Sequence, residues 1–169
     1  QAEHTRVSAE DHIRNFEVWQ KNNPNPIIEV EKSFSMPLIQ EDGKNWVVRG
    51  RIDRIEEEDG ERVVVDFKSG KSRMTKKEVP LNIQLNLYAM ALQKMNGKLP
   101  KRTSLVYLEK EGGEQKDYFP TEESIRVFQE KLQGLVQGIR EERFDPVPDY
   151  KLCDYCDYGG LCPRRAEGE

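Results

Sequence analysis

The sequence predicts an α+β domain, an α/β sandwich in which helices flank a mixed central sheet. Three observations carry that expectation. Two β-branched runs meet across Asp59-Gly60, a dipeptide suited to the positive-φ positions of a tight hairpin turn. Three other segments carry apolar residues at helical spacing. Their order along the chain is helix, three strands, helix, two strands, helix. With 169 residues, there is enough chain for one substantial core.

The first helix is expected over 8–22, with Ser8 as N-cap and Ile13, Phe16 and Trp19 as its apolar stripe. Asn22-Asn23-Pro24-Asn25-Pro26 stops it. Ile28, Val30 and Phe34 place a strand within 27–38, and a turn follows at Glu41-Asp42-Gly43-Lys44. The hairpin strands fall at about 45–56 and 61–68, with Val63, Val65 and Phe67 on one face and Val64, Asp66 and Lys68 on the other. A helix opens near Pro80 and runs to Asn96, where Gly97 ends it. Its apolar set (Ile83, Leu85, Leu87, Met90, Ala91, Leu92, Met95) is broad enough for a mostly buried helix. Strands at 103–110 and 115–119 flank Glu111-Gly112-Gly113. Thr121 then caps a helix over 122–143 lined by Ile125, Phe128, Leu132, Leu135, Val136 and Ile139. Residues 1–150 form the expected core domain and 151–169 a cysteine-containing tail.

Composition narrows the function classes. Charged residues make up 34% and mean hydropathy is −0.85. No apolar run reaches membrane-spanning length and no signal peptide is visible, so the expectation is a cytoplasmic protein without a membrane partner. A net charge of −4 argues against coating nucleic acid through bulk charge, although a local basic patch survives that average. The chain begins at Gln1, a residue too large to follow an excised initiator Met, which suggests a piece of a longer protein.

The chemistry concentrates on the hairpin. If Asp59 and Gly60 form the loop, Glu58 pairs with Glu61 and counting back sets Asp53 opposite Asp66. Lys68 shares the face of Asp66. Like charges directly opposed on a sheet are destabilising, so two carboxylates meeting there point to a cation between them. The next segment carries Lys68, Lys71, Arg73, Lys76 and Lys77 with no acid in 68–77. Alone it reads as a solvated loop; after a carboxylate cluster it reads as a phosphate-facing segment. Gln84 and Tyr88 share a helix face, serving either the core or a site. Cys153, Cys156 and Cys162 are spaced C-x2-C-x5-C with Pro163 next, a spacing suited to a metal clip and one thiolate short of a full set. His4 and His12 lack a partner motif.

Gly50-Arg51-Ile52-Asp53-Arg54-Ile55, then Val64-Val65-Asp66-Phe67-Lys68-Ser69-Gly70, then Gln84-x3-Tyr88, then the cysteine tail together resemble the RecB-like nuclease domains of the PD-(D/E)XK superfamily. Such domains lie at the C-termini of UvrD-type helicases and in AddB-like recombination subunits. The resemblance covers roughly residues 27–163 and implies a restriction-endonuclease-like core that cleaves DNA in a repair or recombination helicase-nuclease. It implies Asp53, Asp66 and the Phe67 backbone carbonyl as ligands to Mg2+ or Mn2+, with Lys68 orienting or activating water. Gln84 and Tyr88 would stand at the DNA-facing edge and Lys71, Arg73, Lys76 and Lys77 would contact DNA. Cys153, Cys156 and Cys162 would be three of four ligands to a [4Fe-4S] cluster. The family also has an upstream metal-binding His and an upstream fourth Cys. Neither is evident here, which predicts weakened metal binding and an incomplete cluster in this chain.

Two other classes fit some of these features. A catalytically silent DNA-binding module of the same fold would have no reason to keep Asp53, Asp66 and Lys68 together. A structural or redox iron–sulfur or zinc module would leave the carboxylate hairpin unexplained.

Overall fold

The computed structural model describes residues 2–41, 44–70 and 73–163. Its elements are α1 (Ala2–Asn22), β1 (Ile27–Glu41), β2 (Lys44–Glu58), β3 (Glu61–Lys68), a 3-10 turn (Val79–Leu81), α2 (Ile83–Asn96), β4 (Arg102–Tyr107), β5 (Glu114–Tyr118), α3 (Glu122–Arg140) and α4 (Tyr150–Cys153). The five strands form one sheet in the order β1-β2-β3-β4-β5. Only β3 and β4 run parallel; the other neighbours are antiparallel. A parallel neighbour requires a crossover, and α2 supplies it. The α+β expectation, a mixed sheet flanked by helices, therefore holds.

The sheet is covered on both faces because adjacent residues of β3 serve different cores. Val65 joins Trp19 of α1 and Val106 of β4, with Phe67 and Leu108 packed beside them. Val64 joins Phe34, Met36, Ile52, Ile55 and the α2 residues Tyr88, Ala91 and Leu92. Each helix end has a local cause. Asn82 caps α2 by accepting the Leu85 N–H at 2.9 Å, and Gly97 closes it at φ 75°. Thr121 caps α3 by accepting the Ser124 N–H at 3.1 Å. Asp59 (φ 53°) and Gly60 (φ 79°) take the left-handed conformations their hairpin turn requires.

Several elements differ from expectation. Helix α1 starts at Ala2, so Ser8 lies inside it rather than at its cap; Ala2–Val7 offers no breaker. Ile13 is exposed, and Phe16 and Trp19 carry the contact with the sheet. Val30 and Ile28 are exposed, while Phe34 and Met36 are buried in the cluster with Tyr88, Ala91 and Leu92 of α2, and β1 continues to Glu41. Only Arg54–Glu58 of β2 pair with β3, so the rest of β1 and β2 forms a two-stranded arm. Helix α3 ends at Arg140, and its buried stripe is Ile125, Phe128, Leu132 and Val136, with Leu135 and Ile139 exposed. The tail contains the one-turn helix α4. Two compact units divide within α3, Gln1–Leu132 and Gln133–Glu169.

Candidate active site

The register of the hairpin follows from its turn. Glu58 pairs with Glu61, and the ladder continues through Arg54 and Val65, where it ends. Asp53 and Asp66 stand one step beyond that last pair. There the strands no longer bond main chain to main chain; the Phe67 N–H donates instead to Asp53 Oδ2 at 3.0 Å.

The other edge of β2 is irregular at the same level. Glu31 of β1, which the register sets opposite Asp53, has φ 52°. Inward alternation of β2 breaks between its neighbours. Ile52 enters the cluster under α2, whereas Arg54 lies over the Trp19 ring of α1. A local irregularity of this kind re-aims a side chain and ends pairing, as bulges beside active sites do.

Asp66 is 1% exposed, and its Oδ2 meets the Lys68 ammonium at 2.7 Å without a well-aligned hydrogen bond. Lys68 Nζ donates to Gln84 Oε1 at 2.6 Å, and Gln84 Nε2 donates to the Tyr88 hydroxyl at 2.7 Å. That hydroxyl lies 2.8 Å from the Arg51 carbonyl and 3.4 Å from Asp66 Oδ1. Asp66, Lys68, Gln84 and Tyr88 thus close a polar circuit. Helix spacing places Gln84 and Tyr88 one turn apart on the face of α2 that looks at β3.

Burial pushes the Asp66 carboxyl above its ordinary range, and the neighbouring Asp53 adds to the shift; Lys68 opposes it. Burial, followed by the charge of Asp66, raises the Tyr88 phenol well above its usual value, so it remains a donor. A buried carboxylate held beside a second one is stabilised by a cation. The donor set, carboxylate oxygens with Asp66 Oδ2 incompletely satisfied, suits a hard divalent ion.

The chain as a whole is similar to known proteins. The sequence matches the PD-(D/E)XK nuclease superfamily over residues 1–163. The chain belongs to that superfamily. It is 30% identical over 151 residues to the Gene 69 protein of Mycobacterium phage D29, covering 87% of this chain and 51% of that protein. It is 27% identical over 156 residues to the Gene 69 protein of Mycobacterium phage L5, covering 89% and 51%. The chain thus spans about half the length of these curated relatives. The crystal structure of SSO0001 shares the fold at a TM-score of 0.51 and 19% identity, over 92% of this chain and 68% of that one.

Within this superfamily domain, the sequence-predicted residues divide into three sets. Asp53, Asp66, Lys68, Gln84 and Tyr88 lie together, and the Phe67 peptide is fixed between them by its N–H. In the basic segment the described residues differ in their surroundings. Arg73 faces Glu109 at 3.5 Å and Glu114 at 3.8 Å, acids supplied by the β4–β5 hairpin rather than by its own segment. Lys76 and Lys77 are exposed, and Lys71 lies outside the described residues. The side chain of His4 is also outside them, and His12 joins no group of metal-capable side chains among those described.

The cysteine tail folds locally. Cys153 ends α4, the Cys156 N–H donates to the Cys153 carbonyl at 3.3 Å, and the Cys162 N–H donates to the Tyr158 carbonyl at 2.9 Å. Gly159 sits in a tight turn, where a Cβ would lie 3.1 Å from the carbonyl oxygens of both Cys153 and Cys156. All three thiols are free. Among the described residues no three His, Cys, Asp or Glu side chains are gathered to hold a metal.

Sequence reasoning missed Arg54. The residue is 6% exposed, and its guanidinium sits 5.5, 5.7 and 5.3 Å from the ring centroids of Phe16, Trp19 and Phe67. Nη1 and Nη2 both donate to Gln20 Oε1 at 2.5 Å, and Nη1 also reaches Glu56 Oε1 at 3.3 Å. Glu56 is fully buried, and Asn25 donates to its other oxygen at 3.2 Å. Burial raises the Glu56 carboxyl and lowers the Arg54 guanidinium from their ordinary values. Desolvated cation–π contacts are worth ~2 kcal/mol, which helps offset the cost of burying this charge. An arginine beside the first aspartate, with Phe16 and Trp19 at helical spacing upstream, was the available signal.

Proposed function

We propose that this domain is a metal-dependent deoxyribonuclease that hydrolyses phosphodiester bonds, with Mg2+ or Mn2+ held by Asp53, Asp66 and the Phe67 carbonyl. The observation that carries the reading is the meeting of Asp53 and Asp66 where the β2–β3 ladder ends, with Lys68 against Asp66 Oδ2. A bound divalent cation would polarise the phosphate and acidify a water. The remaining work falls to the chain's own groups. Lys68, held by Asp66 and Gln84, contributes positive charge where the phosphate gains negative charge and orients the attacking water. Tyr88 and Gln84 fix Lys68 and face the DNA. Exposed Lys76 and Lys77 contact the DNA backbone; the acids beside Arg73 make it a weaker contributor.

The same reading assigns the domain to a longer repair or recombination protein that couples it to a helicase. Cys153, Cys156 and Cys162 there serve a [4Fe-4S] cluster with a fourth ligand from elsewhere. The cysteine spacing supports the cluster, and the motif order shared with helicase-linked nuclease domains supports the coupling. Incubation of end-labelled DNA with Mn2+ or Mg2+ tests the activity. Cleavage is expected, with loss on chelation. A Lys68→Met variant that cuts at the parental rate would remove the role given to Lys68.

A further inference from the structure

Arg54 is adjacent to Asp53, and Phe67 lies between Asp66 and Lys68, so the Arg54–Phe67 contact ties together the two strand positions that carry the site. The contact sits at the last main-chain pair, Arg54 with Val65, just before the strands part. Its distance is 5.3 Å from guanidinium carbon to ring centroid. The clamp is completed from α1 on the opposite face of the sheet. Phe16 and Trp19 pack edge-on against Phe67 at 5.4 and 5.3 Å, and Gln20 accepts both terminal nitrogens of Arg54. Phe67 in turn holds Asp53 through its N–H at 3.0 Å. These contacts converge on Phe67, whose N–H reaches Asp53 and whose chain neighbours are Asp66 and Lys68.

We infer that Arg54 is a positioning residue: caged by Phe16, Trp19 and Phe67, it sets the separation of the Asp53 and Asp66 carboxylates and so the site's affinity for a divalent cation. This rests on the functional reading above, and it assigns to α1 a part in the site although α1 lies on the other face of the sheet. Removing the guanidinium frees the Phe67 ring and the β2 backbone at Asp53, while the polar circuit of Lys68 of β3 with Gln84 and Tyr88 of α2 stays intact. Lysine would keep the positive charge but could not bridge Gln20 with two donors in one plane.

The test is Mn2+ binding to the whole chain, followed by electron paramagnetic resonance, beside thermal denaturation. Arg54→Met combined with Glu56→Gln removes both buried charges while keeping volume. It is expected to weaken Mn2+ binding ~10-fold or more, as loss of groups supporting metal ligands does. Arg54→Lys should recover part of the affinity. Glu58→Gln, at the far end of the hairpin, serves as a control for general destabilisation and should bind Mn2+ as the parent does.

Unchanged affinity in the folded double variant overturns the inference. So does an affinity loss that merely follows melting temperature across all variants, Glu58→Gln included. If the double variant does not fold, Gln20→Met is read instead. A loss of affinity at a near-parental melting temperature supports the clamp, and parental affinity refutes it. Failure of the functional reading looks different: the parent itself would bind no Mn2+, or would bind it equally well after Asp66→Ala.

Discussion

Replacing Tyr88 by Phe removes one oxygen from the centre of the polar circuit and leaves the ring packed. The ring is 4% exposed and meets Phe34 edge-on at 6.1 Å, a contact phenylalanine retains. The lost oxygen serves the Arg51 carbonyl at 2.8 Å and the Gln84 amide at 2.7 Å. It also lies 3.4 Å from Oδ1 of the buried Asp66, and leaving the acceptors around it without their donor costs about 1–3 kcal/mol, whereas the half-buried Gln84 amide can turn toward water at smaller cost. The net expectation is a loss of ~2 kcal/mol, or roughly 4–8 °C in melting temperature for a chain of this size. Circular dichroism melts at neutral pH, with urea titrations for the free energy, measure it. On the functional side, Gln84 would hold Lys68 less firmly, and misplacement of that ammonium should slow cleavage by ~10- to 100-fold. A melting temperature equal to the parent's, together with parental cleavage, would refute the claim that Tyr88 holds this circuit together.

Other perturbations probe separate parts of the fold. Glu58 is held by Lys101 and Arg102, at 2.7 and 2.6 Å, which lower its carboxyl to about 2. A depressed carboxyl stabilises the fold above its ordinary titration range and loses that contribution as pH falls toward 2. Because the side chain is a quarter exposed, Glu58→Gln should cost only ~1 kcal/mol at pH 7. The difference from the parent in urea midpoint should shrink steadily below about pH 4. Gly50→Ala would set a Cβ 2.6 and 2.7 Å from carbons of the buried Phe34 ring. Displacing that ring should cost ~1–3 kcal/mol in urea unfolding and disturb its contact with Tyr88.

The sheet's central hairpin was legible because its turn chemistry and its alternation agree. Asp59-Gly60 fixes the register, and one count along the strands brings Asp53 level with Asp66. Gly97, Asn82 and Thr121 mark helix ends through backbone requirements that sequence states directly. What strand counting cannot show is that pairing stops at Arg54 and Val65, or that Glu31 adopts a positive φ opposite Asp53. Those features depend on which side of the sheet each neighbour must fill. Arg54 illustrates the same limit. A charged residue in a strand reads as solvent-facing until Phe16 and Trp19 on a distant helix are known to enclose it. Arg73 is the converse case: its segment has no acids, yet Glu109 and Glu114 meet it from another hairpin. Superfamily membership rests on the match across residues 1–163.

The most direct measurement is cleavage of end-labelled DNA in Mn2+ by the parent chain and by Asp66→Ala, purified side by side and matched for folding by circular dichroism. The account predicts fragments from the parent, none above background from the variant, and none from either after chelation. Equal cleavage by a clean, folded Asp66→Ala preparation would contradict it.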